Sequence, residues 1–243
     1  MSTHYLGNHF DIHGGGMDLQ FPHHENEIAQ SEAFSGEKYV NYWIHNGFIT
    51  INKEKMSKSL KNVYTIRTAL KDHHPEVLRF FILSSHYRSP LIYSDYQLIE
   101  TNKILTSLYL SIRGVKIEND QTVIPSYIEA FKKAMDNDFN TPVAISILFD
   151  ISKQINKHIK YEVVPLVNTL KYLGGILGIL QDNPDDFLEG NISNNDIEIK
   201  IQERIIAKNN KDYILADKIR NDLKNDGAIL EDCSDGLTMW RKI

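Results

Sequence analysis

Beyond residue 94, apolar residues recur at three- and four-residue spacing through most of the chain, the period of a helix with one buried face. The pattern predicts helices over 95–112, 126–135, 141–159 and 164–180, the third helped by Pro142 near its start. The segment 181–195 holds Pro184, Gly190 and several Asn and Asp, and reads as a linker. After it come helices near 196–209 and 212–224. A short β-ribbon follows, 228–230 with 238–241, around the turn Ser234-Asp235-Gly236. Before residue 94 the pattern is mixed. Residues 9–13 alternate like a strand, with Gly14, Gly15 and Gly16 as its turn. Pro22 suits the first position of a helix to about residue 34. Residues 39–51 are aromatic and β-branched, mixed strand and loop. Thr65 suits the cap of a helix over 66–71. A second helix, 75–84, turns Val77, Leu78, Phe80, Phe81 and Leu83 inward. No internal repeat is present.

The length, 243 residues, leaves room for one large domain or two to three small ones. The net charge of −5 means that any RNA contact must come from local patches, since a generally basic footprint is absent. The single cysteine, Cys233, excludes an internal disulfide and fits a reducing cytoplasm. No apolar run reaches the length of a membrane span, and the N-terminus lacks a basic-then-apolar signal pattern.

Three short stretches carry chemistry. In Lys55-Met56-Ser57-Lys58-Ser59, two lysines separated by small and hydroxyl residues suit a triphosphate, because each ammonium is a point charge on a long stem. By itself such a run suits a solvated loop equally. In Asp11-Ile12-His13-Gly14-Gly15-Gly16-Met17-Asp18, glycines allow close approach of a ligand to backbone, and a carboxylate can accept from ribose hydroxyls. By itself a glycine triplet is a turn. His13 at the strand end either lines a substrate pocket or is a buried structural histidine. In Phe21-Pro22-His23-His24-Glu25-Asn26-Glu27, His23 and Glu27 are four apart on a predicted helix and share a face. That pair suits either zinc or a helical ion pair. His24 points away and reads as supporting or structural.

Together the three stretches resemble the second half of a class I aminoacyl-tRNA synthetase. The run HFDIHGGGMDLQFPHHENEIAQSEA is similar to cysteinyl-tRNA synthetases. The resemblance extends from His9 to Tyr93 and, more weakly, to Lys242. It implies an α/β remnant of a Rossmann-type catalytic domain over 1–64 and stem-contact helices over 65–94. A mainly α-helical bundle over 95–181 and a small mixed α/β anticodon-binding module over 196–243 would follow. It implies a ligase that activates cysteine with ATP and Mg2+ and charges tRNA(Cys) in the cytoplasm. The implied catalytic residues are Lys55 and Lys58. Gly16, Asp18 and Lys58 would bind ATP, His13 would line the amino-acid pocket, and His23 with Glu27 would hold Zn2+. Lys208, Tyr213, Asp217 and Asp232 would contact the anticodon. Trp240 offers a further ring, although each of these groups also fits a core, capping or solvated role.

The purpose of the implied zinc is discrimination. A hydrophobic pocket separates near-isosteres such as cysteine and serine only by about a hundredfold, whereas zinc prefers a thiolate.

The chain departs from the family in four places. The His-x-Gly-His turn is absent, and so are the two cysteines that complete the family's zinc site, for which Cys233 is too near the C-terminus. The family often has tryptophan where Tyr213 falls and arginine where Lys208 falls. Too few residues precede Gly14 to build a nucleotide-binding sheet, so the chain reads as the back part of a larger domain. The expectations are then weak or absent zinc binding, and an isolated chain inactive without an upstream half as partner. Two alternatives stay open: a tRNA-binding remnant without catalysis, and a ligase joining cysteine to an amino sugar, against which the extended tail argues.

Overall fold

The three glycines extend a strand instead of ending it. The computed structural model describes residues 1–51, 54–55, 65–115, 121–157, 163–190, 194–232 and 238–242. A short helix α1 (Ser2–Leu6) precedes strand β1 (Phe10–Gly16), where the sequence pattern suggested no helix. Strand β2 (Val40–Asn46) pairs with β1 in parallel, with Phe10 opposite Val40, His13 opposite Trp43 and Gly15 opposite His45. The connection runs through a 3₁₀ turn at Met17–Leu19, a π-type turn at Gln20–His24 and helix α2 (Glu25–Ser35). The helix expected from Pro22 therefore starts three residues later. Phe21, directly before proline, is extended (φ −132°, ψ 131°), the conformation that proline sterics favour there.

A second small sheet follows. Strand β3 (Ile49–Ile51) pairs antiparallel with β4 (Glu54–Lys55), and in parallel with β5 (Leu91–Tyr93). Between β4 and β5 lie α3 (Ile66–Asp72) and α4 (Pro75–Leu83). The Thr65 hydroxyl accepts from the Thr68 amide at 3.1 Å, and the His74 ring accepts from the Glu76 amide at 3.3 Å, so both helix starts are capped by side chains.

Helices α5 (Asp95–Ile112), α6 (Pro125–Asp136), α7 (Thr141–Lys157) and α8 (Val164–Leu177) pack with α4 around one core. Leu105, Leu108, Leu148, Ile151, Leu170 and Leu173 are fully buried there, joined by Val77, Phe80 and Phe81 from α4. Among the described residues, one carboxylate is buried with this core. Glu76 accepts from the Tyr109 hydroxyl at 2.8 Å and from the amides of Leu180 and Gln181 at 2.9 and 2.7 Å. Burial, then the bond to Glu76, push the Tyr109 hydroxyl far above its ordinary pKa. Helix α8 stops at Leu177, earlier than the apolar pattern suggested. Gly178 turns left-handed (φ 69°), and Arg79 occupies the space a side chain at 178 would need while donating to the Leu177 carbonyl.

The expected linker 181–195 is corrected by a helix, α9 (Pro184–Glu189). The Asn183 side chain accepts from the Asp185 amide at 2.9 Å, Pro184 opens the first turn, and Leu188 is buried in the core. Turn-forming residues here cap a helix that tertiary packing retains. Helices α10 (Asn194–Asn209) and α11 (Tyr213–Asn225) then pack on the antiparallel ribbon β6 (Ala228–Asp232) and β7 (Thr238–Lys242). They enclose a second, separate core of Ile197, Ile201, Ile219, Leu223, Ala228, Leu230 and Trp240.

Candidate functional site

Alternation along β1 and β2 places His13, Gly15, Trp43 and His45 on one face, near the carboxyl ends of both strands. Such strand ends are where open α/β sheets hold ligands. The His13 ring stacks on Trp43 (centroids 4.8 Å apart, 29° between planes) and meets His24 edge-on at 4.8 Å. His24 enters from the π-type turn and is 4 % exposed. Gly15 makes room for it: a Cβ there would lie 2.9 Å from His24 Cε1. His24 Nδ1 and His45 Nε2 are 2.8 Å apart, so one ring donates and the other accepts. Burial first, and the neighbouring His13 second, hold the His24 imidazole below its ordinary pKa and favour its neutral ring, which can donate or accept in this bond. Trp43 and His45 carried no signal in isolation. Only the register of two parallel strands brings them to His13.

Gly16 ends β1, and a Cβ built on it would lie 2.6 Å from Asp18 Oδ1, so the Asp18 carboxylate lies against the glycine backbone. Glu27 on α2 reaches His13, with Oε2 3.3 Å from Nε2, while His23 is exposed. Among the described residues no group of three or more His, Cys, Asp or Glu stands close enough to hold a metal ion. His23 and Glu27 supply two of the four donors that tetrahedral zinc requires, and Glu27 already faces a histidine. The described residues do not by themselves fit a closed zinc site. Lys55 lies in β4, its backbone opposite Thr50. Lys58 lies outside the described residues, as does the rest of the lysine–serine run.

The C-terminal module gathers a second set of groups. Arg204, one of the residues sequence reasoning missed, is buried on the inner face of α10. It donates to both oxygens of Asp232, at 2.8 and 2.9 Å. Lys208 Nζ and the Thr238 hydroxyl add bonds at 3.0 Å each. The Arg204 guanidinium, with those donors, holds the Asp232 carboxyl far below the usual carboxylate range, and Asp232 raises Arg204 in turn. Asp217 on α11 also bears electrostatically on Arg204. Tyr213 is 63 % exposed at the start of α11, its ring open to solvent. Trp240, in contrast, is core. The available sequence signal for Arg204 was its place among Ile197, Ile201 and Ala207 at helical spacing, a cation on an apolar face. Arg88 pairs internally: its Nε donates to Asp138 at 2.6 Å, and the Tyr87 hydroxyl donates to the same carboxylate at 2.6 Å.

Residues 1–103 match the family described as tRNA synthetases class I (C) catalytic domain, and residues 130–181 match the DALR domain. The chain is 51% identical over 249 residues to the cysteine–tRNA ligase of Thioalkalivibrio sulfidiphilus (strain HL-EbGR7), covering 100% of this chain and 54% of that protein. It is 50% identical over 257 residues to the cysteine–tRNA ligase of Acinetobacter baumannii (strain SDF), with the same coverage, 100% and 54%. It is 50% identical over 254 residues to that of Methylococcus capsulatus (strain ATCC 33009 / NCIMB 11132 / Bath), again covering 100% and 54%. The chain thus spans about half the length of the curated relatives it matches. Among solved structures, it is similar to the ternary complex of Agrobacterium radiobacter K84 agnB2 LeuRS with tRNA and LeuAMS. The TM-score is 0.56 at 12% identity, covering 72% of this chain and 28% of that chain, a likeness of fold alone.

Proposed function

Because this chain belongs to the cysteinyl-tRNA synthetase family, we propose that it serves as part of a cysteine–tRNA ligase. The observation that carries this reading is the histidine–tryptophan cluster at the carboxyl ends of β1 and β2, directly beside Gly16 and Asp18. In this reading residues 1–64 are the closing part of a Rossmann-type catalytic domain and 65–94 carry stem-contact helices. Residues 95–181 form the helical bundle, and 196–243 bind the anticodon. The reaction has two steps. The cysteine carboxylate attacks the α-phosphate of ATP, forming cysteinyl-adenylate and releasing pyrophosphate. A ribose hydroxyl at the tRNA 3′ end then attacks the acyl carbon, loses its proton and releases AMP. No side-chain nucleophile is required, since positioning and charge stabilisation suffice.

Within this scheme Gly16 and Asp18 hold the adenosine ribose, and His13 lines the amino-acid pocket. Lys55 and Lys58 neutralise charge on the departing pyrophosphate, ATP entering with Mg2+. Lys208, Tyr213, Asp217 and Asp232 face the anticodon of tRNA(Cys). Tyr213 is the stacking platform, and the paired Lys208 and Asp232 present a fixed donor and acceptor set. No helix among the described residues is long and apolar enough to cross a membrane. The ligase reading itself puts the protein in the cytoplasm. A second reading, tRNA binding without catalysis, is favoured by the separate core of the C-terminal module.

Cysteine-dependent ATP–pyrophosphate exchange tests the first reading. In an enzyme of full family length carrying this chain, Lys58→Ala should lower exchange by about 10²–10³-fold. An unchanged rate would remove Lys58 from the mechanism. Binding of tRNA(Cys) by the chain, with no exchange in any form, would leave the second reading.

A further inference from the structure

Among the described residues the two cores form separate clusters, so shared core packing does not by itself set the angle between them. Two clefts flank the joint. One, of about 790 Å³, is lined by Arg113, Glu189, Ile199, Gln202, Met239 and Trp240. The other, of about 890 Å³, runs between His73, Asn102, Phe187, Gly190 and Lys242. Arg113 lines the first of them.

Arg113 is the first residue past α5. Its backbone turns extended (φ −62°, ψ 134°), and its side chain is only 6 % exposed. Nε donates to Asp185 at 2.7 Å and Nη2 to Glu189 at 2.7 Å. These carboxylates are four apart on α9 and so share a face. Nη1 donates to the Trp240 carbonyl on β7 at 3.0 Å. One guanidinium thereby ties the end of α5, the helix α9 and the ribbon of the C-terminal module. Each tie is anchored further. Phe187 of α9 stacks on Tyr109 at 3.9 Å, and the Trp240 side chain lies in the module core opposite Leu230, two residues before Asp232.

We infer that Arg113 is a positioning residue that fixes the C-terminal module against the helical body. Helix α5 relays that constraint to the sheet bearing Lys55. The helix has 18 residues and spans about 27 Å. Its N-terminus follows directly from β5, which pairs with β3, the strand beside Lys55. Lysine cannot substitute, because a single ammonium does not present a planar fork to three acceptors in different directions. Without the guanidinium, the donor shared by the α9 carboxylates and the Trp240 carbonyl is gone, and this tie across the joint is lost. The functional half of the inference, that the joint sets the span between the stem-contact helices over 65–94 and the anticodon module, rests on the tRNA-ligation reading.

The test uses the full chain with spin labels at Ser146→Cys and Lys218→Cys in a Cys233→Ser background. Pulsed electron–electron distances compare Arg113 with Arg113→Lys, Arg113→Met and the milder Glu189→Gln, circular dichroism confirming that each is folded. A distance distribution at least twice as broad in Arg113→Met, and intermediate in the other two, is expected. An unchanged width in Arg113→Met overturns the inference. In parallel, Arg113→Met should weaken whole tRNA(Cys) by about tenfold but leave an isolated anticodon stem-loop unaffected, since only the whole tRNA needs both contacts at a fixed span. Equal loss for both RNAs would mean damage to the module and overturn positioning. Failure of the unsubstituted chain to bind either RNA would sink the tRNA reading while the distance widths still judge the joint.

Discussion

Arg204 and Asp232 form a two-pronged ion pair, with both guanidinium Nη atoms within 2.9 Å of the two carboxylate oxygens. The guanidinium is buried and the carboxylate is partly open, so the pair is an inward anchor with an outward acceptor. Asp232→Ala strands the buried cation and should cost about 2–3 kcal/mol, below the range for a fully buried pair because solvent reaches the carboxylate side. Urea unfolding followed on the C-terminal module measures it. A change within 0.5 kcal/mol, about the level of a neutral surface substitution, would mean that solvent replaces the pair without loss.

The same chemistry at Arg88 predicts a pH dependence. The Arg88 guanidinium, then the Tyr87 hydroxyl, lower the Asp138 pKa to about 2, against an ordinary carboxylate value of 3.8. A depressed folded-state pKa stabilises the fold fully above the unfolded value, and that contribution is lost as pH falls through the folded one. The stability difference between the parent and Asp138→Asn should therefore be constant above about pH 5 and shrink between about pH 4 and pH 2. Thermal melts of both proteins across that range check it, and a difference independent of pH would show that the ion pair contributes nothing.

Glu76 holds one hydroxyl and two backbone amides inside the main core. Glu76→Gln turns one acceptor into a donor facing donors, and should destabilise by about 2–4 kcal/mol. Tyr109→Phe removes one donor and should cost about 1–2 kcal/mol. A double-mutant cycle by guanidinium denaturation should give a coupling of about 1 kcal/mol or more. Strict additivity would mean that the two groups act independently.

Trp240→Ala empties the centre of the small core and should cost the module about 3–5 kcal/mol. Because the cores are separate, amide exchange should accelerate in α10 and α11 while α5 and α7 keep their protection. Uniform acceleration would indicate a single cooperative unit.

Gly15→Ala would drive a Cβ to 2.9 Å from the His24 ring and displace it from His45. With Trp240→Phe as background, Trp43 fluorescence reports the change. A red shift is expected as the ring cluster opens, together with a cost of about 1–3 kcal/mol for overpacking. An unmoved spectrum would show that the cluster tolerates the methyl group.

How far the sequence could be read depended on the range of the interactions involved. Helices α3 to α8, α10 and α11 were visible because their apolar spacing and caps, such as Thr65, are local signals repeated along one face. The histidine and glycine stretches were likewise visible as candidate chemistry, since His13, Gly16, Asp18, His23 and Glu27 lie within one short run. The glycines were misjudged as a turn because the reason for Gly15 is a histidine arriving from a later turn, which no local pattern encodes. Helix α9 was misjudged as linker because its residues are turn formers by propensity. Leu188 in the core and Phe187 on Tyr109 retain it.

Helix positions, the residues apolar enough to enclose a core, and the short runs that carry chemistry are all set locally, since periodicity, capping and residue type act over a few neighbours. Folding alone turns Glu27 toward His13, brings Trp43 and His45 to His24, and seats Arg204 against Asp232. It likewise brings Arg113 to partners 72 and 127 positions away. These contacts depend on strand register and on desolvation of charges brought together by distant elements, quantities that exist only once the chain has folded.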